Sequence, residues 1–196
     1  YKDIVKRFKI RSVQGIEDLT LYLMSNIARE YSLNAVAGAT KCRSVHTSDK
    51  FIRYLHEAYL VFSIPRFSFK VKEQAGRNKK IYCTDNGLAV SAGIRFSADR
   101  GALYENLVAI ALKQEEIAGC VSLFYWQGSQ HEEVDFVVKE GRQVARLIQV
   151  CSDVSNPKTL KREMRALIKA SQALHCDELL LLNDRINRTE TFTWQG

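Results

Sequence analysis

Four residues beyond position 100 have side chains that bear on metal chemistry. Glu105 lies on a predicted helix and Asp135 near the start of a predicted strand, and carboxylates are the ligands that Mg²⁺ prefers. Gln149 and Cys151 are two residues apart on the next predicted strand, so their side chains face the same side. An amide oxygen is neutral and binds Mg²⁺ less well, and a thiol supplies no cation. Residues of these four types could support a metal site only weakly, because two of them offer no anionic oxygen.

The elements that carry these residues follow the order α-β-β-β-α-β. Apolar residues at helical spacing predict one helix over 102–117 and another after the cap formed by Asn156 and Pro157. Apolar or alternating runs predict strands over 121–126, 134–139, 144–151 and 178–183. We expect an α/β domain over residues 91–196, with a central mixed sheet.

This order resembles the core of restriction-endonuclease-like folds, and the four residues resemble the PD-(D/E)-x-K motif of nucleases. In those enzymes a helix Glu, a strand Asp and a (D/E)-x-K on the next strand share a site in which Mg²⁺ activates water. The resemblance assigns Glu105 and Asp135 to the first two places, as the candidate metal ligands of a weakened site. Gln149 and Cys151 replace the last carboxylate and the lysine. The sequence offers two carboxylates and two cations as replacements: Glu132, Glu133, Lys158 and Lys161. A Mg²⁺-dependent nuclease is therefore one alternative, beside a domain without catalysis.

Residues 1–90 predict three helices followed by a hairpin. The helices are predicted over 16–27, over 32–37, and from a cap at Ser44 or Ser48 up to Pro65. The hairpin is predicted as a strand over 66–72, a turn over 74–78 and a return strand over 79–83. Three helices and a hairpin form a winged helix, whose third helix normally enters the major groove of DNA.

The net charge of +7 is concentrated in this first domain. Residues 1–90 hold sixteen Lys or Arg against eight Asp or Glu, whereas residues 91–196 hold thirteen against fourteen. Cations on the third helix and the wing would bind phosphates without reading sequence. The predicted DNA contacts are Arg43, Lys50, Lys70, Lys72, Arg77, Lys79 and Lys80. The alternative is that the winged helix packs only against a neighbouring protein domain.

Six stretches in a fixed order carry a wider resemblance: residues 3–11, 51–60, 80–88, 103–108, 132–136 and 148–150. Together they resemble the C-terminal region of prokaryotic and archaeal AAA-type ATPases, a domain of unknown function. The resemblance implies a winged helix followed by a restriction-endonuclease-like domain. The resemblance also implies an ATP-binding module ahead of Tyr1. The phosphate-binding motif G-x-x-x-x-G-K-[ST] does not occur in these 196 residues, so we do not expect them to bind or hydrolyse ATP by that route.

Composition excludes several other classes of protein. No apolar run approaches the roughly 18 residues of a membrane span. Five cysteines without paired spacing predict neither a disulfide framework nor a zinc site, and they fit a reducing cytosol. We therefore expect a cytoplasmic chain without a membrane partner.

Together with the resemblance, these observations predict a non-catalytic C-terminal module of an AAA-type ATPase that binds nucleic acid, with DNA as the expected form, or a partner protein, and works with its own ATPase module. No cofactor is expected within these residues, since ATP would bind the missing module and Mg²⁺ only an active nuclease site. The alternatives are a Mg²⁺-dependent nuclease and a structural domain for docking or oligomerisation.

Overall fold

The computed structural model describes residues 2–42, 44–70, 72, 76–92, 100–152 and 154–184. The chain has a mixed α/β fold that divides into two compact units. Unit 1 comprises Tyr1–Pro65 and Lys70–Ile110, and unit 2 comprises Arg66–Phe69 and Ala111–Gly196. None of the helices in the described part of the chain combines the length and the hydrophobicity that a membrane crossing needs.

Unit 1 is built from helices around a small antiparallel sheet. The helices are α1 (Lys2–Arg7), α2 (Val13–Met24), α3 (Leu33–Ala39), α4 (Val45–Glu57), α5 (Asn86–Ala92) and the first part of α6 (Arg100–Ile117). The strands are β1 (Glu30–Tyr31), β2 (Val61–Pro65) and β3 (Lys79–Cys83), in the spatial order β1-β3-β2. The three predicted helices are thus present as α2, α3 and α4.

Local capping explains where two of these helices begin. The Ser32 hydroxyl accepts a hydrogen bond from the Ala35 N–H at 3.1 Å, at the start of α3. The Ser44 hydroxyl accepts one from the Thr47 N–H at 3.1 Å, at the start of α4. Such caps satisfy backbone donors that have no partner within the helix. Of the two predicted caps for α4, Ser44 is therefore the one in use, and Ser48 is buried inside the helix.

The hairpin is present, but its first strand differs from the prediction. Helix α4 ends at Glu57, and Val61–Pro65 pairs antiparallel with Lys79–Cys83, so Pro65 ends a strand and not a helix. This proline is tolerated because β2 lies at an edge of the sheet, where one side of the strand needs no donor. The predicted strand over 66–72 is wrong, since residues 67–70 form no strand and Arg66–Phe69 belong to unit 2. Within that unit the Phe67 N–H donates to the Tyr125 carbonyl at 2.7 Å. Val71, Gln74 and Ala75 of the predicted hairpin lie outside the described residues.

Unit 2 contains a four-stranded mixed sheet and a long helix. Its elements after α6 are β4 (Ser122–Gln127), β5 (Glu133–Glu140), β6 (Gln143–Val150), α7 (Pro157–Leu174) and β7 (Leu179–Leu182). The sheet order is β4-β5-β6-β7, with β4, β5 and β6 antiparallel and β7 parallel to β6. The predicted order α-β-β-β-α-β is confirmed, as is the mixed sheet.

Helix α7 covers this sheet with one face. The Asn156 side chain accepts from the Lys158 N–H at 3.0 Å, and Pro157 occupies the first helical position. Ala166, Leu167 and Ala170 pack into the core formed with the strands. This packing fixes where the polar residues on the same face of α7 lie relative to β5 and β6.

Candidate functional site

Three polar side chains are buried together in unit 2. Asp135 on β5, Gln149 on β6 and Glu163 on α7 are 5%, 6% and 8% exposed. The antiparallel register that pairs Phe136 with Ile148 sets Asp135 opposite Gln149. The predicted strand positions therefore meet, and the third member is a helix carboxylate that sequence analysis missed.

Gln149 links the other two members of this cluster. Its Oε1 accepts from the Asp135 backbone N–H at 3.1 Å, and its Nε2 donates to Glu163 Oε2 at 2.8 Å. An amide can accept on one side and donate on the other, whereas a carboxylate only accepts. Gln149 can therefore bridge the Asp135 backbone and Glu163, which an ionised carboxylate at this position could not do.

The two carboxylates of the cluster also have protein donors. Asp135 Oδ2 accepts from the Val150 N–H at 3.0 Å. Glu163 Oε1 accepts from Arg162 Nε at 3.1 Å and from Arg162 Nη2 at 2.5 Å. These hydrogen bonds raise the pKa of the Arg162 guanidinium above its already high ordinary value. Arg162 thus supplies the positive charge that balances Glu163.

The residues of this cluster do not fit a Mg²⁺ ion. A metal ligand must turn an oxygen lone pair toward the ion, but Gln149 turns its NH₂ group toward Glu163. Cys151, which the resemblance puts at the place of the nuclease lysine, is buried and provides no cation. Within the described ranges, no group of three or more His, Cys, Asp or Glu is arranged to hold a metal. No hydrolytic step follows from this arrangement.

Glu105, the other predicted metal ligand, forms an ion pair in unit 1. Its Oε1 accepts from Lys80 Nζ at 2.9 Å and from the Tyr82 hydroxyl at 2.7 Å. The side chain of Lys80 is 2% exposed and that of Glu105 is 13% exposed. Lys80, a predicted DNA contact, is therefore enclosed in unit 1, and Glu105 is its counterion.

The next residue, Asn106, fixes the end of strand β3. Its Oδ1 accepts from the Cys83 N–H at 2.8 Å, and its Nδ2 donates to the Cys83 carbonyl at 2.9 Å and to Asn86 Oδ1 at 2.7 Å. Glu105 and Asn106 together attach α6 to β3. The alternation of Lys80 and Tyr82 along one strand was a signal for this pairing, because residues two apart face the same side.

The remaining predicted site residues lie on the surface or outside the described residues. The exposed ones in unit 1 are Lys50, Lys70, Lys72, Arg77 and Lys79. Arg43 lies outside the described residues. The two replacement cations suggested for the nuclease motif, Lys158 and Lys161, are exposed on the first turns of α7.

Glu132, proposed as a replacement carboxylate, has a cation of its own. Lys169 on α7 donates hydrogen bonds to Glu132 Oε1 and, at 2.8 Å, to Gln130 Oε1. The hydrogen bond from Lys169 holds the pKa of the Glu132 carboxyl below its ordinary value. This contact joins the loop before β5 to α7.

Comparison with known families identifies the chain in two parts. Residues 1–99 match the domain of unknown function DUF8612. The chain belongs to the DUF8612 family. Residues 100–192 match a second domain of unknown function, DUF4143. The contacts of Glu105 and Asn106 with β3 therefore join the two family matches inside unit 1.

Two curated relatives are longer than this chain. Uncharacterized protein MJ1544 of Methanocaldococcus jannaschii is 31% identical over 186 residues, which cover 92% of this chain and 40% of that protein. An uncharacterized protein of Haemophilus influenzae is 21% identical over 156 residues, which cover 78% of this chain and 38% of that protein. The chain thus spans about 40% of the length of these relatives. No solved structure gives a significant match.

Proposed function

We propose that this chain is a non-catalytic, DNA-binding module of a longer ATPase. Unit 1 would be a winged helix, with α4 as its third helix and β2 and β3 as its wing. Unit 2 would be a restriction-endonuclease-like domain. The order of elements and the mixed sheet support this assignment, and the greater length of both relatives leaves room for an ATP-binding module.

The observation that carries the absence of catalysis is the hydrogen bond from Gln149 Nε2 to Glu163 Oε2. Metal-dependent hydrolysis needs carboxylates that hold an ion and an ion that lowers the pKa of water. Here the corresponding groups bind one another and Arg162, so the scaffold is retained for a purpose other than cleavage.

Exposed cations of unit 1 support DNA as the partner. Five of the predicted contacts are exposed: Lys50, Lys70, Lys72, Arg77 and Lys79. Duplex DNA is a dense polyanion, and each neutralised phosphate releases counterions. Lys80 is not among the proposed contacts, because its ammonium group is paired with Glu105.

Binding to duplex DNA should depend steeply on salt. Five phosphate contacts predict that the logarithm of the association constant falls against the logarithm of salt concentration with a slope of about −4.5. Fluorescence anisotropy of a labelled mixed-sequence duplex, without Mg²⁺ and between about 50 and 200 mM salt, measures this slope. Undetectable binding at low salt, or a slope near zero, would contradict DNA binding and favour the docking alternative.

A further inference from the structure

We propose that the phosphate-binding surface of unit 1 extends from α4 onto α1, where a stacked pair of aromatic rings holds one cation from each helix. This inference rests on the proposed DNA-binding function. It adds Arg7 to the five contacts proposed above, so the expected salt slope becomes about −5.4. A second, separate segment of the chain thereby becomes part of the interface.

The aromatic pair joins the end of α1 to α4. The rings of Phe8 and Tyr54 are stacked, with centroids 4.0 Å apart and planes inclined by 11°. The backbone turns just after Phe8, where Lys9 has a positive φ of 50° and the Ile10 N–H donates to the Val5 carbonyl at 3.0 Å. This turn ends the helix and lets Ile10 enter the core.

Each ring also carries a cation. The Arg7 guanidinium carbon lies 5.3 Å from the centroid of Phe8, and Lys50 Nζ lies 5.7 Å from the centroid of Tyr54. Cation–π attraction restricts both side chains while leaving their charged ends able to bind an anion. The guanidinium additionally offers a planar pair of donors that matches two phosphate oxygens.

These two cations differ from Arg53 and Lys41 in having no carboxylate partner. Arg53 on α4 binds Asp49 at 3.2 Å, and Lys41 lies 4.0 Å from Asp18. Within the described part of the chain, no ion pair involves Arg7 or Lys50.

The sequence around Arg7 strengthens the positive field. Residues 2–11 contain five Lys or Arg and one acidic residue. A cationic surface that is rigid and unneutralised is complementary to the regularly spaced phosphates of a duplex. We therefore assign backbone phosphates, and not base edges, as the groups that this surface binds.

The test replaces both cations by neutral side chains of similar length, Arg7→Gln with Lys50→Gln. Loss of two phosphate contacts should reduce the magnitude of the salt slope by about 1.8 and weaken duplex binding about tenfold at 100 mM salt. The matched control is Arg142→Gln with Lys161→Gln, which removes two exposed cations from unit 2 and should change affinity less than about twofold. The exchange Arg7→Lys with Lys50→Arg keeps both charges and should keep the slope.

The outcomes separate this inference from the proposed function. A smaller slope for the α1–α4 pair but not for the control supports the surface. Two outcomes would contradict the proposed surface and leave DNA binding in place. One is an equal loss of affinity in both double variants, and the other is an unchanged slope in the α1–α4 double variant while the unmodified chain binds in a salt-dependent way. No duplex binding by the unmodified chain overturns both. All four positions are exposed, so we expect no folding defect in either double variant. Thermal unfolding of each variant checks this.

Discussion

Replacing Glu105 by alanine should lower the free energy of unfolding by about 3–5 kcal/mol. The substitution removes the carboxylate that binds both the enclosed Lys80 ammonium and the Tyr82 hydroxyl. Removing one partner of a buried ion pair is far more costly than loss of an exposed pair. Urea unfolding at neutral pH, followed by circular dichroism, measures the change.

Glu115 on the same helix provides the matched control. It pairs with Arg146 at 2.8 Å, but the two side chains are 43% and 25% exposed. Replacing Glu115 by alanine should therefore cost no more than about 1 kcal/mol. A further variant, Lys80→Met with Glu105→Gln, removes both charges, keeps an acceptor for Tyr82 and should recover much of the loss. Equal costs at Glu105 and Glu115 would show that the Lys80 pair is not a buried pair.

Restoring a carboxylate by Gln149→Glu should destabilise the chain by about 3 kcal/mol at neutral pH. The new group replaces the Nε2 donor that lies 2.8 Å from Glu163 Oε2, and it faces a like charge in a buried setting. Gln143→Glu, at the exposed start of the same strand, is the control and should change stability by less than about 0.5 kcal/mol.

The loss at position 149 should depend on pH in a defined direction. Burial and like charge favour the protonated form, so the pKa of the new carboxyl is expected to be higher in the folded state than in the unfolded state. Stability relative to the unmodified chain is then unaffected below roughly pH 4.3 and falls as pH rises toward the folded-state pKa. Urea unfolding across this range checks the sign. A penalty that is the same at pH 4 and pH 8 would contradict the proposed contact with Glu163.

The sequence predicted elements well where the signal is local. The pair Asn156 and Pro157 fixes the start of α7 through a cap and a fixed φ, and neither depends on distant residues. The strand prediction for the segment after Pro65 is wrong because the structure of this segment depends on tertiary contacts. Phe67 and Phe69 alternate with polar residues as a strand would, but Phe67 belongs to unit 2 and packs edge-on against Phe124 of the same unit, with ring centroids 5.4 Å apart. No local pattern encodes that partner.

The candidate site was half predictable for a related reason. Asp135 and Gln149 meet because neighbouring antiparallel strands fix their register. Glu163 was missed because a charged residue is normally expected on the exposed face of a helix. Its spacing nevertheless places it on the buried face of α7, with residues 166, 167, 170 and 174. Lys80 was assigned to the surface because a basic residue usually lies there, yet β3 is the central strand of its sheet and is buried along most of its length.

Incubation of supercoiled plasmid with the chain and MnCl₂ tests most directly whether unit 2 has given up metal-dependent cleavage. The internal hydrogen bonds of Gln149 and Glu163 predict no nicking above a protein-free blank, and the same result for Asp135→Asn. Manganese-dependent nicking by the unmodified chain that both Asp135→Asn and Glu163→Gln abolish would contradict the account and establish a nuclease.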